Sequence, residues 1–211
     1  WYEFYMAQNQ QNPFIEAFTK NTFGTRDEAI PFEKIRTEHY LPALDYGIEK
    51  AKERIAAIKA RPEAASFENT ILALETASEF FETVTTVYFN LFSSEASEEH
   101  QALAKDISPK GAAFASDLSL DEKLFSRIKD VYDKRTSLGL SPEQSRLVEK
   151  YYKDFTRNGA LLSAADKEKL RKIDQDLSVL SQQFSENVLK ATNSFELVIE
   201  NKADLRGLPP G

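Results

Sequence analysis

The residue types used for hydrolytic chemistry are thinly spread along this chain, which carries two histidines, His39 and His100, and no cysteine. A hydrolytic zinc site of the form H-E-x-x-H needs two imidazoles one helical turn apart, with a glutamate between them to activate the bound water. His39 is followed by Tyr40 and Leu41, and His100 by Gln101 and Ala102, so neither stands in that setting. Each reads as a helix-surface or hydrogen-bonded side chain. Glu98-Glu99-His100 reads as the charged opening of a helix, where acidic side chains suit the macrodipole. The lack of cysteine removes disulfides, thiolate zinc ligands and a cysteine nucleophile. Nucleophile elbows of the G-x-S-x-G type and phosphate-cradling glycine loops are absent as well. Carboxylates are abundant, yet most lie three or four residues from a lysine or arginine, the spacing of a solvated, ion-paired helix face. Lys150-Tyr151-Tyr152-Lys153 with Arg157 mixes rings and bases that could meet a peptide or nucleic acid, but the net charge of −7 favours core packing with flanking solvated lysines. The sequence therefore assigns no catalytic or metal residue, and it leaves the substrate-binding residues unknown.

The elements that would position any chemistry are organised around Ser163 to Pro209. Leu170, Ile173, Leu177, Leu180, Phe184, Val188 and Ala191 alternate steps of three and four, which places them on one stripe of a helix that must be covered. Ser163 with Asp166 gives that helix a capped start. Phe195, Leu197 and Ile199 then alternate with Glu196, Val198 and Glu200, the period of a strand, and Asn201 to Asp204 reads as a turn. A strand with no second strand in the sequence implies a pairing partner beyond the last residue, hence a fragment.

Upstream, 211 residues with 41% hydrophobic and 29% charged content suit one soluble helical domain, and 7 Gly and 8 Pro leave few breaks. The negative charge argues against nucleic acid and against anionic lipid, because both need clustered Lys and Arg. No apolar run reaches the roughly 18 residues that span a bilayer. Residues 1–11 read as a leader or as residues foreign to the protein. Met6 is the sole methionine, which would fit translation beginning there with five foreign residues ahead of it; Ala7, a small residue near a cleavage point, also leaves open the tail of a secretory signal, although Glu3 is wrong for its apolar core. A cytoplasmic location is the expectation, a periplasmic one the alternative if those residues are a signal remnant.

Asn12 to Phe32 lacks a sustained period and reads as an extended arm pinned by Phe14, Phe18, Phe23 and Phe32. A helix is predicted from Thr37 to Arg61-Pro62. A second runs from the Ser66 cap to about Phe92, apolar enough to be central and to pack on the Ser163 helix. A third opens at Ser97 and breaks or kinks at Pro109 to Gly111. Ser119 with Glu122 caps a fourth that closes near Gly139, and Ser141-Pro142-Glu143-Gln144 starts a fifth that stops near Gly159. The expected fold is all-α: an elongated antiparallel bundle of about six helices, with an extended N-terminal arm and one short C-terminal strand.

Several short signatures, taken in order, resemble the amino-terminal region of the thimet oligopeptidase, oligopeptidase A and peptidyl-dipeptidase family of zinc metallopeptidases. They are Asn12-Pro13-Phe14; Pro31-Phe32 with Ile35 and Glu38-His39-Tyr40-Leu41-Pro42-Ala43; Ser66-Phe67-Glu68-Asn69-Thr70 with Ala73-Leu74-Glu75; Phe89-Asn90-Leu91; Tyr151-Tyr152 with Phe155, Arg157 and Gly159-Ala160; Phe184-Ser185 with Asn187-Val188; Ala191-Thr192-Asn193; and Leu205 with Gly207-Leu208-Pro209. The run Tyr40 to Ile48 and Ala191-Thr192-Asn193 look most like the bacterial peptidyl-dipeptidase branch. The resemblance implies a nearly all-helical enzyme whose two halves face a deep channel that admits short peptides. It places zinc and its H-E-x-x-H helix in the carboxy-terminal half, so no family ligand or catalytic residue maps onto this sequence. Residues 12–211 would then be a channel-wall domain truncated before the catalytic domain, holding no cofactor itself, with that half and short peptides as partners. The rival expectation is a free-standing helical scaffold that binds a protein through the apolar face of the second helix.

Overall fold

Asn12 followed by Pro13 sets the first element. In the computed structural model, which describes residues 12–95, 97–201, 203, 206 and 207, the Asn12 side chain accepts from the Phe14 N–H at 3.0 Å and Pro13 fills the first helical turn. A proline there forfeits no hydrogen bond and already holds a helical φ. Helix α1, Pro13–Lys20, ends at Asn21 in the left-handed region with φ 54°. The expected extended arm is thereby corrected: Phe14, Ile15 and Ala17 are the buried side of a capped helix. Only the stretch behind it is irregular, with 3-10 turns at Arg26–Glu28 and Phe32–Lys34. The leader read at residues 1–11 lies outside the described residues.

Asn12 also donates through Nδ2 to the His39 carbonyl at 2.7 Å, tying α1 to the opening of α2, Thr37–Ala60. The predicted second helix is divided. Ser66 and Asn69 cap each other, with Ser66 N–H on Asn69 Oδ1 at 2.9 Å and Asn69 N–H on Ser66 Oγ at 3.1 Å. A π-helical turn, Phe67–Leu72, then runs into a short α3, Ala73–Glu75, before α4, Glu79–Glu95. The break falls where Arg54 Nη1 donates to the Thr76 carbonyl at 2.9 Å and takes it out of the helical ladder. α4 packs antiparallel on α2: Tyr40 meets Tyr88 with ring centroids 5.3 Å apart, and a Cβ at Gly47 would lie 3.1 Å from the Phe81 Cα. Glycine allows the two backbones to cross that closely.

Helix α5, Glu98–Ser119, is continuous through Pro109, so of the kink or break expected at Pro109 to Gly111 the break does not occur. The ring removes one backbone bond, while Ala104 and Ile107 before it and Phe114 after it are all buried in the core, and that packing on both sides holds the helix together. The next cap is Asp121 rather than Ser119: its carboxylate accepts from the Leu124 N–H at 2.8 Å and opens α6, Glu122–Lys134. Burial would raise the Asp121 pKa, but the Lys59 ammonium at 2.5 Å and the helix N–H groups outweigh it and hold the carboxyl below its ordinary value of 3.8. A depressed folded pKa contributes stability that is complete above the ordinary value and disappears as pH falls through the folded one. Asp121→Ala is expected to destabilise the fold by about 1–2 kcal/mol at pH 7 and to flatten the acid limb of a pH-dependent urea melt. An unchanged acid limb would contradict that role.

Ser141 and Gln144 form the predicted reciprocal cap, with Pro142 at the first position of α7, Pro142–Arg157. Last comes α8, Ala164–Asn193, whose Ser163 cap accepts from Asp166 N–H at 3.2 Å. No strand occurs among the described residues, so the expected strand over Phe195–Ile199 is not formed: that segment has no ladder to join. Two adjoining cores result. One is centred on Phe14, Tyr40, Leu44, Val84, Tyr88 and Ile107, the other on Ile71, Leu124, Ile128, Val131, Val148 and Phe155. Ile48 and Phe81 touch both.

Candidate functional site

The apolar stripe of α8 is the feature that internal packing does not absorb. Ile173, Leu177, Leu180, Phe184 and Val188 are 52%, 54%, 57%, 69% and 49% exposed, although their spacing is that of a buried face. Beyond the helix, Phe195, Leu197 and Val198 are more open still. What α8 turns toward α5 is polar. Arg171 Nε meets Asp117 Oδ1 at 3.3 Å and Ser116 Oγ donates to Asp174 Oδ2 at 3.1 Å. Farther along, Ser178, Gln182 and Glu186 cover Ala104, Ser108 and Pro109 around a cavity of about 170 Å³, where the Gln182 Nε2 group is buried without a partner. These positions lie roughly 140° around the helix from the apolar stripe at about 100° per residue. The helix thus docks by its polar side and presents its apolar side outward. The expected packing of the second helix on this seam is corrected in the same way, since α5 takes that place and the Phe80, Val84, Val87 and Tyr88 face of α4 is buried in the molecule's own core.

The start of α8 is firmly placed. Lys167 is 4% exposed and its ammonium reaches Glu122 Oε1 at 3.0 Å, so the buried charge is paired. Gly159 is buried with φ +94°, and a Cβ there would lie 2.7 Å from Leu170 Cδ2. The chain can make its turn from α7 into α8 against Leu170 because that residue is glycine.

The histidines have structural surroundings. His100 stands in the charged first turn of α5 and is the hydrogen-bonded side chain rather than the surface one: it is buried, stacked on Tyr88 with centroids 4.4 Å apart, and its Nε2 lies 3.2 Å from the Tyr88 carbonyl. Tyr88 Oη donates back to the His100 carbonyl at 2.7 Å. Tyr40 packs edge-on against both rings, and burial pushes its phenol up to about 12. His39 Nδ1 accepts from the Arg36 N–H at 2.9 Å, and burial, outweighing the neighbouring Glu38, lowers its pKa below 6.5. That bond needs an unprotonated Nδ1, so His39 caps α2 as the neutral imidazole. Tyr152 stacks on Tyr132 at 3.9 Å, and Tyr151 donates to Glu75 Oε2 at 2.5 Å, with burial first and the Glu75 carboxylate second raising its pKa. The mixed aromatic-basic run is therefore a packing surface, as its charge setting implies.

Among the described residues no group of three or more His, Asp or Glu side chains converges to hold an ion, and no helix is long and apolar enough to cross a membrane. His39 and His100 are each committed to other bonds, and neither belongs to a set of side chains that would fit a zinc ion.

The chain is homologous to peptidases over most of its length. It is 38% identical across 177 residues to the dipeptidyl carboxypeptidase of Escherichia coli strain K12, covering 84% of this chain and 26% of that protein. The dipeptidyl carboxypeptidase of Salmonella typhimurium is 34% identical over 87% of the chain, and the probable cytosolic oligopeptidase A of Arabidopsis thaliana 27% identical over 85%. The chain spans about a quarter of the length of these relatives, 26%, 27% and 26%. No family model matches it.

Proposed function

We propose that residues 12–211 form the amino-terminal channel wall of a zinc-dependent peptidyl-dipeptidase or oligopeptidase, restricting the site to short, flexible peptides. The observation that carries the reading is the outward apolar stripe of α8, together with similarity to a protein of which the matched region makes up 26%. Burying the remaining half of Ile173, Leu177, Leu180, Phe184 and Val188 is worth roughly 4–7 kcal/mol before ordering costs, enough to hold a partner surface in place. That partner is the catalytic carboxy-terminal half, which would bring the zinc ligands and the glutamate base. The wall itself brings shape and exclusion. A cytoplasmic location belongs to the same proposal, with the periplasm as its alternative.

The Phe80, Val84, Val87 and Tyr88 side of α4 is buried, so the rival scaffold reading is left with the exposed Phe89 on that helix and the α8 stripe as binding surfaces. Coexpressing the chain with E. coli dipeptidyl carboxypeptidase from which the matching quarter has been removed separates the two. The wall reading expects chelator-sensitive release of dipeptides from a short peptide by the pair and none by the chain alone. Release by the chain alone, or two well-folded parts that neither associate nor act, would overturn it.

A further inference from the structure

A cleft of about 520 Å³ opens between α1, the loop that follows it, α2 and the start of α4, remote in sequence from the α8 stripe and within the size range of ligand pockets. Its floor is aromatic. Phe18, Tyr46 and Phe80 touch one another, with centroids 4.7 Å apart for Phe18 and Phe80 and 5.8 Å for Tyr46 and Phe80. Three groups on its walls are left with bonding capacity. Arg54 lies 5.2 Å over the Phe18 ring and spends one of its N–H groups on the Thr76 carbonyl, leaving the rest of its planar fork open. The Glu79 carboxylate, three residues after Thr76, has no hydrogen-bond or ion-pair partner among the described residues, the residue's carbonyl alone accepting from Thr83 Oγ1. Phe23, on the loop across from them, has no ring partner there either.

The loop holding Phe23 is built at a cost. Asn21, Asp27 and Glu28 are the non-glycine residues with positive φ among those described, at 54°, 57° and 54°; asparagine and aspartate take that conformation readily, so the cost of about 1 kcal/mol falls on Glu28. Glu28 repays part of that by accepting from Thr22 Oγ1 at 2.7 Å and from the Phe23 N–H at 2.8 Å. The strained turn thus fixes where Phe23 stands. A cation fork, an unpaired carboxylate and an aromatic wall with one free ring ask for a ligand with an anion, a cation and an aryl group close together.

We propose that this cleft binds a zwitterion bearing an aromatic side chain, the chemistry of a free aromatic amino acid. Its carboxylate pairs with Arg54, its ammonium with Glu79, and its ring packs beside Phe23 and Tyr46. The inference does not depend on the channel-wall reading, because the test is binding to the 211-residue chain. In a titration of the isotope-labelled chain followed by NMR, L-phenylalanine should give saturable shifts confined to α1, the following loop, the Tyr46 to Arg54 stretch of α2 and the start of α4. Phenethylamine, which lacks the carboxylate, and 3-phenylpropionate, which lacks the ammonium, should each bind roughly tenfold more weakly, as should L-phenylalanine to Arg54→Gln. Phe23→Ala, which removes a half-buried ring that no other ring touches, should weaken binding in a chain that still melts cooperatively. Shifts that do not saturate, shifts centred elsewhere, or equal binding of phenethylamine would each overturn the assignment.

Discussion

Replacing Gly159 by valine is expected to destabilise the chain by on the order of 3 kcal/mol, one of the largest losses any exchange outside the core centres should cause. The position is buried with φ +94°, where a β-branched residue is strongly disfavoured. Its new atoms would also press on Leu170 Cδ2, Leu162 Cδ1 and Leu120 Cδ2, which lie 2.7, 2.9 and 3.2 Å from an ideal Cβ. Leucine termini can yield, so the backbone is the larger part of the loss. For a chain of this size such a loss corresponds to a melting point lower by roughly 10 °C. A thermal melt of Gly159→Val within about 2 °C of wild type would show that the turn into α8 is not fixed as described.

Charge on the α8 stripe should act in the opposite sense, harmless to the chain and ruinous to its association. Leu180 and Phe184 are 57% and 69% exposed, so Leu180→Glu with Phe184→Glu removes little buried area and should leave the melt of the isolated chain within about 1 kcal/mol. If the stripe is the seam with a catalytic half, the same pair buries two unpaired carboxylates there, and affinity should fall at least about a hundredfold. Pull-down and dipeptide-release assays on the coexpressed pair read that loss directly. A matched change on α4, such as Thr86→Glu on its exposed side, should have no such effect.

Much of this architecture is legible before any coordinates. Helix starts whose caps are spelled out locally, Ser66, Ser97, Ser141 and Ser163, fall where their sequence places them, because a cap is a matter of four neighbouring residues. Asn12-Pro13 carries the same kind of signal as Ser141-Pro142, but α1 has only eight residues, too few for a helical period to stand out from its proline- and glycine-bearing surroundings. Long-range terms account for other differences. Pro109 reads as a breaker, yet packing on both sides of α5 carries the helix through it. The split of the second helix depends on Arg54 reaching a carbonyl 22 residues away, and no local pattern announces that.

The α8 stripe shows how far periodicity carries function. Its spacing identifies an apolar face without saying what covers it, and α5 meets the polar side instead because Arg171 and Asp174 find partners in Asp117 and Ser116, while Lys167 pairs with Glu122 of α6. The cleft beside Phe23 was invisible for a related reason: its parts come from α1, α2 and α4, and each alone reads as an ordinary anchor or surface charge.

Hydrogen exchange along α8, measured on the chain alone and on the coexpressed pair, tests the central claim most directly. Ile173 to Val188 should exchange readily in the isolated chain and slow by at least about tenfold in the pair, with α4 unchanged. Protection appearing elsewhere while α8 exchanges at the same rate in both samples would contradict the account.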